Sequence, residues 1–176
     1  VLSFFGKSSH ASQPENGHNP ARAISKLIID IPELTAREDH RGIVMATVVC
    51  VRIGEEAFGT NAGFGQLMLT IRAEFESELD ALDAEICARA RAYARQDGIT
   101  NVEIQYRDSF PETRNTPDAV AAVRKARLEC GLPEARWDEP FRSSEDFGCY
   151  TKLTSGALFY IGCGTRHAKL HTREYD

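Results

Sequence analysis

A change in hydrophobic period occurs within residues 67–98, LMLTIRAEFESELDALDAEICARARAYARQDG. Up to Phe75, apolar residues alternate with polar ones, which is the period-two pattern of a strand that covers a core on one face only. Beyond Ser77 the apolar residues recur at the helical spacings of three and four. Ser77 is a typical N-cap residue, and Gly98 is placed to end a helix. The sequence therefore predicts a strand over 66–75 followed by a helix from Ser77 to Gly98.

The segment before this pair supplies a further strand, a helix and another strand. Residues 1–8 are apolar and strand-like, and a polar loop follows up to Pro20. A helical pattern begins at Ala21, and we expect that helix to end near Pro32, because proline removes a backbone donor. Residues 43–53 are dense in β-branched side chains, which predicts a largely buried strand.

The segment after the helix contains the last strand of the same unit, in which Val102, Ile104 and Tyr106 alternate with polar residues. The order β-α-β-β-α-β predicts a ferredoxin-like unit over residues 1–112, with two helices on one face of an antiparallel sheet. The fold class expected for this unit is α+β.

Residues 113–176 have a different pattern of predicted helices and strands. Thr116 and Pro117 fit the start of a helix that Gly131 closes, and a short helix over 144–152 and a strand over 157–161 are expected to follow. Two short strands do not make an independently stable sheet, so we interpret this part as an incomplete α/β segment. Because the chain starts at Val1 inside a predicted strand and has no initiator methionine, we expect it to be a piece of a longer protein.

The composition limits the function classes. The chain has 176 residues, is 42% hydrophobic and carries a net charge of −5, which argues against the basic face that nucleic-acid binding requires. No apolar run approaches the ~20 residues that cross a bilayer, and the first residues do not resemble a signal peptide. We therefore expect a soluble, cytoplasmic protein without nucleic-acid or membrane partners. The five cysteines form no C-x-x-C pair, so we expect reduced and mostly packed thiols.

Three polar residues near the predicted strands are candidates for chemistry. His10 lies in the loop after the first strand, where it is either a solvated side chain or a donor to a developing oxyanion. Asn61 lies among glycines before the strand 66–75 and fits a turn residue equally well. Arg72 lies on the polar face of that strand, as either a solvated charge or a bidentate ligand for a substrate carboxylate.

The second part of the chain adds weaker candidates. Ser144 and Glu145 lie where a helix is expected to begin, so free N–H groups there could attract a carboxylate, although acidic residues are also ordinary in a first helical turn. His171 follows a glycine-rich turn, but a metal site needs three or four ligands and no such set surrounds it in the sequence. The adjacent Glu55 and Glu56 are best interpreted as solvated. The chemistry of the residues alone leaves the function undecided.

Taken in order, five segments resemble the two-metal amidohydrolases and metallopeptidases, the family of hippurate hydrolase, N-acyl-amino-acid hydrolase, aminoacylase and glutamate carboxypeptidase. The segments cover nearly the whole chain: GKSSHASQP (6–14), Gly17-x-Asn19-Pro20, FGTNAG (58–63) with LTIR (69–72), SEDFG (144–148), and Gly156-Ala157-x-Phe159-x-x-Gly162-x-Gly164 before Leu170-His171. The resemblance implies that residues 1–112 form a lid or dimerisation domain. Residues 113–176 would then be the C-terminal portion of an α/β catalytic domain.

The same resemblance implies roles for individual residues. His10 matches a catalytic lid histidine that steadies the tetrahedral oxyanion, often in the active site of the opposite subunit. Arg72 and Asn61 match positions that bind the substrate carboxylate or neighbouring polar groups, and the segment of Ser144 and Glu145 is expected near that pocket. His171 matches the last metal ligand. The implied chemistry is attack of water on the amide bond of an N-acyl amino acid or small peptide, assisted by two divalent metal ions, namely zinc, manganese or cobalt.

Part of the family's machinery is missing from this sequence. The first half of such enzymes supplies further metal ligands and a Glu-Glu pair that carries the general base, and no matching residues occur here. We therefore expect the parent protein to be an amidohydrolase and this segment alone to be inactive. The resemblance implies that the parent enzyme is a homodimer that pairs through its lid domain. A non-catalytic dimerisation module is the alternative, since an exposed edge strand can pair with its twin. An RNA-binding ferredoxin-like module is disfavoured, because the strand 66–75 lacks the required aromatic run.

Overall fold

A computed structural model gives the fold of the chain, and the residues it describes are 1–135, 137, 139–162, 164 and 173–174. The Cα positions divide into two compact units. The first unit contains Val1–Glu112 and a short segment that ends at Ser144. The second contains Thr113–Ala135 and resumes at Glu145. No helix among the described residues is long and apolar enough to cross a membrane.

The first unit contains two helices and six strands, two of which are only two residues long. In chain order the elements are β1 (Leu2–Phe5), β2 (Ser9–His10), α1 (Ala21–Thr35), β3 (Val44–Ile53), β4 (Thr60–Asn61), β5 (Phe64–Ala73), α2 (Glu76–Gln96) and β6 (Asn101–Ile104). A single 3₁₀ turn, Pro14–Asn16, precedes α1.

The main sheet has four strands in the order β3-β5-β1-β6, and each neighbouring pair is antiparallel. This is the strand order of a ferredoxin-like sheet, which confirms the predicted α+β fold class. Both helices contact the sheet and each other. The alternation of β5 is confirmed, since Leu67 is fully buried and Leu69 and Ile71 pack against the same core. Residues of the opposite parity, such as Gln66 and Met68, lie outside that core.

The helix α1 continues beyond the predicted end at Pro32 and stops at Thr35. That prediction was wrong because the ring of Pro32 removes only one backbone donor, whereas the last turn has other support. The N–H of Ala36 donates to the Pro32 carbonyl at 3.1 Å. Leu34, within that turn, is 2% exposed in the core. Tertiary packing of an apolar side chain therefore outweighs the local cost of the proline.

The strand β3 was predicted to be largely buried, and this was also wrong. It is an edge strand of the sheet, and only Val44 at its start is buried. The β-branched residues point to both faces, but the helices cover one face only. A β-bulge between Val48 and Cys50 leaves Val49 62% exposed.

The helix α2 begins one residue before the predicted cap Ser77, with Phe75 at its N-cap. The N–H of Glu76 donates to the carboxylate of Glu112 at 2.9 Å, so a distant side chain replaces the local serine cap. The end of α2 is as predicted. Gly98 adopts a φ of +75°, and Ile99 donates to the Ala94 carbonyl at 2.9 Å in a Schellman arrangement.

A histidine joins the end of α1 to the start of α2. The Nε2 atom of His40 donates to the Leu34 carbonyl at 2.7 Å, and Nδ1 lies 3.0 Å from the Glu78 carboxylate. Both partners are acceptors, so the arrangement favours the imidazolium. The hydrogen bond to Leu34, followed by that to Glu78, raises the pKa of His40 above its ordinary value.

The second unit contains α3 (Pro117–Glu129) and α4 (Gly148–Thr151). The start of α3 at Thr116 and Pro117 and its closure by Gly131, at a φ of +63°, are as predicted. The helix expected over 144–152 is shorter than predicted: α4 has only four residues.

Residues 157–161 are irregular, so the predicted strand is wrong. The backbone N–H of Leu158 donates to Asn115 Oδ1 at 2.8 Å, and its carbonyl accepts from Asn115 Nδ2 at 2.9 Å. A side-chain amide thus takes the place of a neighbouring strand. All four described cysteines are free, but Cys130 and Cys149 are exposed, so the expected packing holds only for Cys50 and Cys87 in the first unit.

Candidate functional site

The short strands β2 and β4 pair with each other and form a small ribbon separate from the main sheet. Ser9 pairs with Asn61, and His10 pairs with Thr60. The ribbon is extended by a hydrogen bond of 2.9 Å from the Ala11 N–H to the Gly59 carbonyl. Two candidates that are far apart in sequence, His10 and Asn61, are therefore adjacent in the structure.

The ribbon is held close to neighbouring backbone by glycines. A Cβ atom at Gly63 would lie 2.3 Å from the backbone nitrogen of Ser8. A Cβ atom at Gly6 would lie 1.9 Å from the carbonyl oxygen of His18. Since real Cβ atoms do not approach backbone so closely, the glycines in these two positions allow the loops to meet. They explain why glycine surrounds the candidates in the sequence.

The Asn61 amide links three segments of the first unit. Its Nδ2 donates to Ser9 Oγ at 3.0 Å and to the Pro14 carbonyl at 3.4 Å. Its Oδ1 accepts from Asn19 Nδ2 at 2.7 Å, and Asn19 Oδ1 in turn accepts from the N–H of Ala21 at 2.8 Å. Both ends of the half-buried Asn61 side chain are thus engaged within the chain. This geometry holds the ribbon against the start of α1.

The His10 side chain is exposed on the ribbon, and one of its ring nitrogens is engaged. Nδ1 lies 3.1 Å from the backbone nitrogen of Ser12, which donates to it, and 2.7 Å from Ser12 Oγ. Among the described residues, Nε2 has no hydrogen-bond partner. The ring is therefore attached to its own loop through one nitrogen and presents the other outward.

Arg72 lies on β5 and is half-buried. Its Nη1 donates to the hydroxyl of Ser144, so two predicted substrate-binding residues meet within the first unit. No carboxylate in the described part of the chain forms an ion pair with Arg72. A guanidinium bound to a neutral hydroxyl retains further donors for an anion. Glu145 follows Ser144 in sequence and is exposed.

The predicted metal ligand His171 lies outside the described residues. Within the described ranges, no three His, Cys, Asp or Glu side chains come together as a metal site. The described residues thus do not fit a metal centre by themselves. Glu55 and Glu56 are exposed in the turn between β3 and β4, as expected for solvated charges.

Ser12 and Asn19 were not among the sequence candidates, although both engage a candidate. A serine two residues after a histidine is a local signal, since Ser side chains often hydrogen-bond near their own backbone. Phe58 belongs to the segment FGTNAG (58–63), and its exposure was not predicted from the sequence. It is 97% exposed in the turn that leads to β4. Neither the hydrogen bonds of Ser12 and Asn19 nor the exposure of Phe58 follows from hydrophobic periodicity.

The chain is similar to several hydrolases. It is 25% identical over 182 residues to N-acetyldiaminopimelate deacetylase of Bacillus licheniformis, covering 99% of this chain and 47% of that protein. It is 26% identical over 164 residues to an uncharacterised hydrolase of Staphylococcus haemolyticus, covering 92% and 42% respectively. The chain therefore spans less than half the length of these curated relatives.

The fold is similar to that of a crystal structure named as an aminohydrolase, from methicillin-resistant Staphylococcus aureus. The TM-score is 0.75 at 21% identity, over 99% of this chain and 46% of that one. At this identity the likeness supports the fold alone. The family model described as the peptidase dimerisation domain matches residues 1–98, which include the ribbon, both helices of the first unit and strands β1, β3 and β5. Since this match spans more than half of the sequence, the chain belongs to the M20 peptidase dimerisation domain family.

Proposed function

We propose that the chain is part of a metal-dependent amidohydrolase or peptidase that hydrolyses the amide bond of N-acyl amino acids or small peptides. The dimerisation domain family and the hydrolase relatives support an enzymatic parent protein. The name of one relative specifies an N-acetylated substrate, which agrees with this class. The observation that carries the proposal is the exposed imidazole of His10, whose Nδ1 is held by Ser12 and whose Nε2 is unpaired within the described residues.

In this proposal, His10 is a catalytic residue that donates a hydrogen bond to the oxyanion of the tetrahedral intermediate. Water attack on an amide carbon places negative charge on the former carbonyl oxygen, and a fixed N–H donor stabilises that charge. The ribbon fixes the backbone of His10, so little reorganisation is needed at the moment of reaction. The reacting centre would belong to the catalytic domain of the opposite subunit.

In this proposal Arg72 binds the carboxylate of the substrate. Ser144 and Glu145 are proposed as further substrate-binding residues. The hydroxyl of Ser144 orients the guanidinium of Arg72, and the remaining N–H groups match the two oxygens of a carboxylate. Asn61 supports the site through its contacts with Ser9 and Asn19, because its amide is already engaged.

Residues 1–112 form the lid and dimerisation domain, and residues 113–176 form the C-terminal portion of the catalytic domain. Two divalent metal ions, namely zinc, manganese or cobalt, belong to the parent enzyme in this proposal, with His171 as one ligand. Only the resemblance to the two-metal family supports this part of the proposal, because the described residues supply no set of metal ligands. The 176-residue chain by itself is then inactive.

The parent protein is a homodimer that pairs through the lid. The ten-residue edge strand β3 is a candidate for this pairing, since it presents unpaired backbone groups and carries neither lysine nor proline. Val49 and Val51 on this strand are 62% and 39% exposed, which provides apolar surface beside the edge.

An assay of the parent enzyme tests the catalytic role. We expect His10→Ala to lower kcat on an N-acyl amino acid about 10²- to 10³-fold, the usual loss for one oxyanion donor. His18→Ala is the matched control, because His18 is an exposed histidine of the same region. The isolated 176-residue chain is assayed in parallel with zinc, manganese or cobalt. Full activity of His10→Ala would refute the role of His10, and turnover by the isolated chain would refute its inactivity.

A non-catalytic dimerisation module is the second candidate, favoured by the match of the dimerisation family to residues 1–98. Sedimentation of the chain tests the pairing that both candidates share. We expect a dimer that Val51→Lys on β3 dissociates, whereas Asn101→Lys on the opposite edge strand β6 leaves it intact. A parent protein that dimerises but does not hydrolyse N-acyl amino acids or small peptides would select this second candidate.

A further inference from the structure

The two ring nitrogens of His10 have different surroundings. The backbone N–H of Ser12 donates to Nδ1 at 3.1 Å. A backbone N–H is only ever a donor, so Nδ1 must be the acceptor and carries no hydrogen. The hydroxyl of Ser12, 2.7 Å away, then also donates to Nδ1. In a neutral imidazole with a bare Nδ1, the single hydrogen is on Nε2.

We infer that Ser12 is a positioning residue that holds His10 in the Nε2–H tautomer. The inference rests on the proposed function, in which His10 faces the substrate. It defines the ligand class of this side chain as an oxygen acceptor, namely a carbonyl or the oxyanion formed from it. In this tautomer Nε2 has no free lone pair, so the exposed nitrogen neither binds a metal ion nor accepts a proton.

The backbone of the loop around His10 is fixed by hydrogen bonds on both sides of the residue. The strand pairing with Thr60 fixes His10 on one side, and the Gln13 N–H donates to the His10 carbonyl at 2.9 Å on the other. Ala11 is bound to the Gly59 carbonyl at 2.9 Å. With the backbone fixed from His10 to Gln13, the N–H of Ser12 stays directed at Nδ1. The tautomer is therefore set by the backbone and strengthened by the hydroxyl.

Two other features of the described residues do not define a ligand or a reaction. The cavity of about 120 Å³ beside Arg91 and Arg95 contains no feature that identifies a ligand. The thiol of Cys87 is close to Asp83 and Tyr106, and burial raises its pKa, which makes it a poor nucleophile. The contacts of His10 are the ones that distinguish between chemical roles.

Ring-nitrogen NMR of the ¹⁵N-labelled 176-residue chain tests the tautomer at about pH 8, where an ordinary imidazole is neutral. The signals of His10 are identified by their loss in His10→Gln. We expect the Nε2–H form to predominate in the unmodified chain. Ser12→Ala retains the backbone donor and loses the hydroxyl, so the ratio of Nε2–H to Nδ1–H should fall roughly 2- to 10-fold, the value of one hydrogen bond.

Ser8→Ala is the matched control, because it removes an exposed hydroxyl from the same loop without touching His10. Ser12→Pro removes both donors and should abolish the bias; if that variant does not fold, Ser12→Ala decides. The inference is overturned if Nδ1–H predominates, or if Ser12→Ala and Ser8→Ala give the same ratio. It is also overturned if Zn²⁺ alone, added to the chain, shifts the signals of His10 selectively.

Failure of this inference is distinguishable from failure of the proposed function. If His10→Ala is fully active in the parent enzyme, the catalytic role fails, whereas the tautomer is decided separately by the NMR ratio. If His10→Ala is inactive but the Nδ1–H tautomer predominates, the catalytic role survives and the assignment to Ser12 fails.

Discussion

The helices α2 and α3 have similar patterns in sequence but differ in burial. Both carry apolar residues at helical spacing and both end before a glycine with positive φ. The side chains of Leu82, Ile86 and Ala90 on α2 are buried, whereas α3 has no buried residue. The difference lies in what surrounds each helix, because α2 packs against α1 and the sheet of its own unit. Periodicity therefore indicates which face of a helix is apolar, but not what covers it.

This contrast extends to the two units. Every buried hydrophobic side chain in the described part of the sequence lies between Leu2 and Ile99. The corresponding apolar residues of the second unit, such as Leu128 and Leu153, are 66% and 88% exposed. Since burial of apolar surface is the main stabilising contribution to folding, the first unit should carry the stability of this chain.

The largest expected effect comes from a pair of leucines in the two units. Leu27→Ala on α1 removes a fully buried side chain and should lower the free energy of unfolding by about 2 to 5 kcal/mol. Leu128→Ala on α3 should change it by less than about 0.5 kcal/mol, because that side chain is already in solvent. Urea denaturation of both variants measures the difference. Equal losses would contradict the contrast between the units.

A smaller effect is expected from two asparagines that both bind backbone. Asn61→Ala leaves partners such as Asn19 and Ser9 unsatisfied and should cost about 1 to 3 kcal/mol. Asn115→Ala, at an exposed site, should cost less than about 1 kcal/mol, because water replaces the lost contacts to Leu158. Hydrogen exchange at the Ala11 N–H should accelerate only in Asn61→Ala. Unchanged exchange there would show that Asn61 does not hold the ribbon.

The sequence allowed the fold of the first unit to be predicted because its signals are local. Period-two alternation around Leu67 and the stop at Gly98 act within a few residues and are consistent with the sheet that forms. The errors occur where tertiary packing or a hydrogen bond from another segment intervenes. Leu34 keeps α1 helical past Pro32, Glu112 takes the place of the Ser77 cap, and Asn115 occupies the backbone of Leu158.

The candidate site shows the same limit. Glycines and a histidine in a polar loop are visible in the sequence, but the pairing of His10 with Thr60 spans the whole of α1 and β3. The contact between Arg72 and Ser144 joins a strand to a segment with no regular structure of its own. Hydrogen bonds between distant polar side chains leave no periodic trace. The residues could be proposed, but their partners could not.

The pH dependence of stability should distinguish the units further, since His40 lies between the two helices of the first one. Its pKa is raised in the folded state, so the folded chain binds this proton more tightly than the unfolded chain. The stabilisation is complete below the ordinary histidine pKa of about 6.5 and is lost as the pH rises through the higher folded value.

His40→Gln should therefore lower the free energy of unfolding by about 1.5 kcal/mol near pH 5.5, the scale of a charge-assisted hydrogen bond. The difference from the unmodified chain should shrink toward about pH 9. His18→Gln, which keeps the contacts of His40 with Glu78 and Leu34, is the control and should show little effect at either pH. Chemical denaturation across this range measures both. A difference that grows with pH would contradict the assignment of His40 as an imidazolium.

The smallest expected effect is on residues 1–112 when the rest of the chain is removed. Residues 1–112 contain every strand of the main sheet, both of its helices and every buried hydrophobic side chain among the described residues. Expressed alone, they lose the hydrogen bond from Arg72 to Ser144, which lies at an exposed position and should contribute less than about 1 kcal/mol. The midpoint of urea unfolding should therefore stay close to that of the whole chain. Residues 113–176 expressed alone should show no cooperative transition, because their described side chains bury no apolar core. A cooperative transition in that segment would show that it is stable by itself, and it would remove the physical reason for the interpretation of residues 113–176 as an incomplete α/β segment.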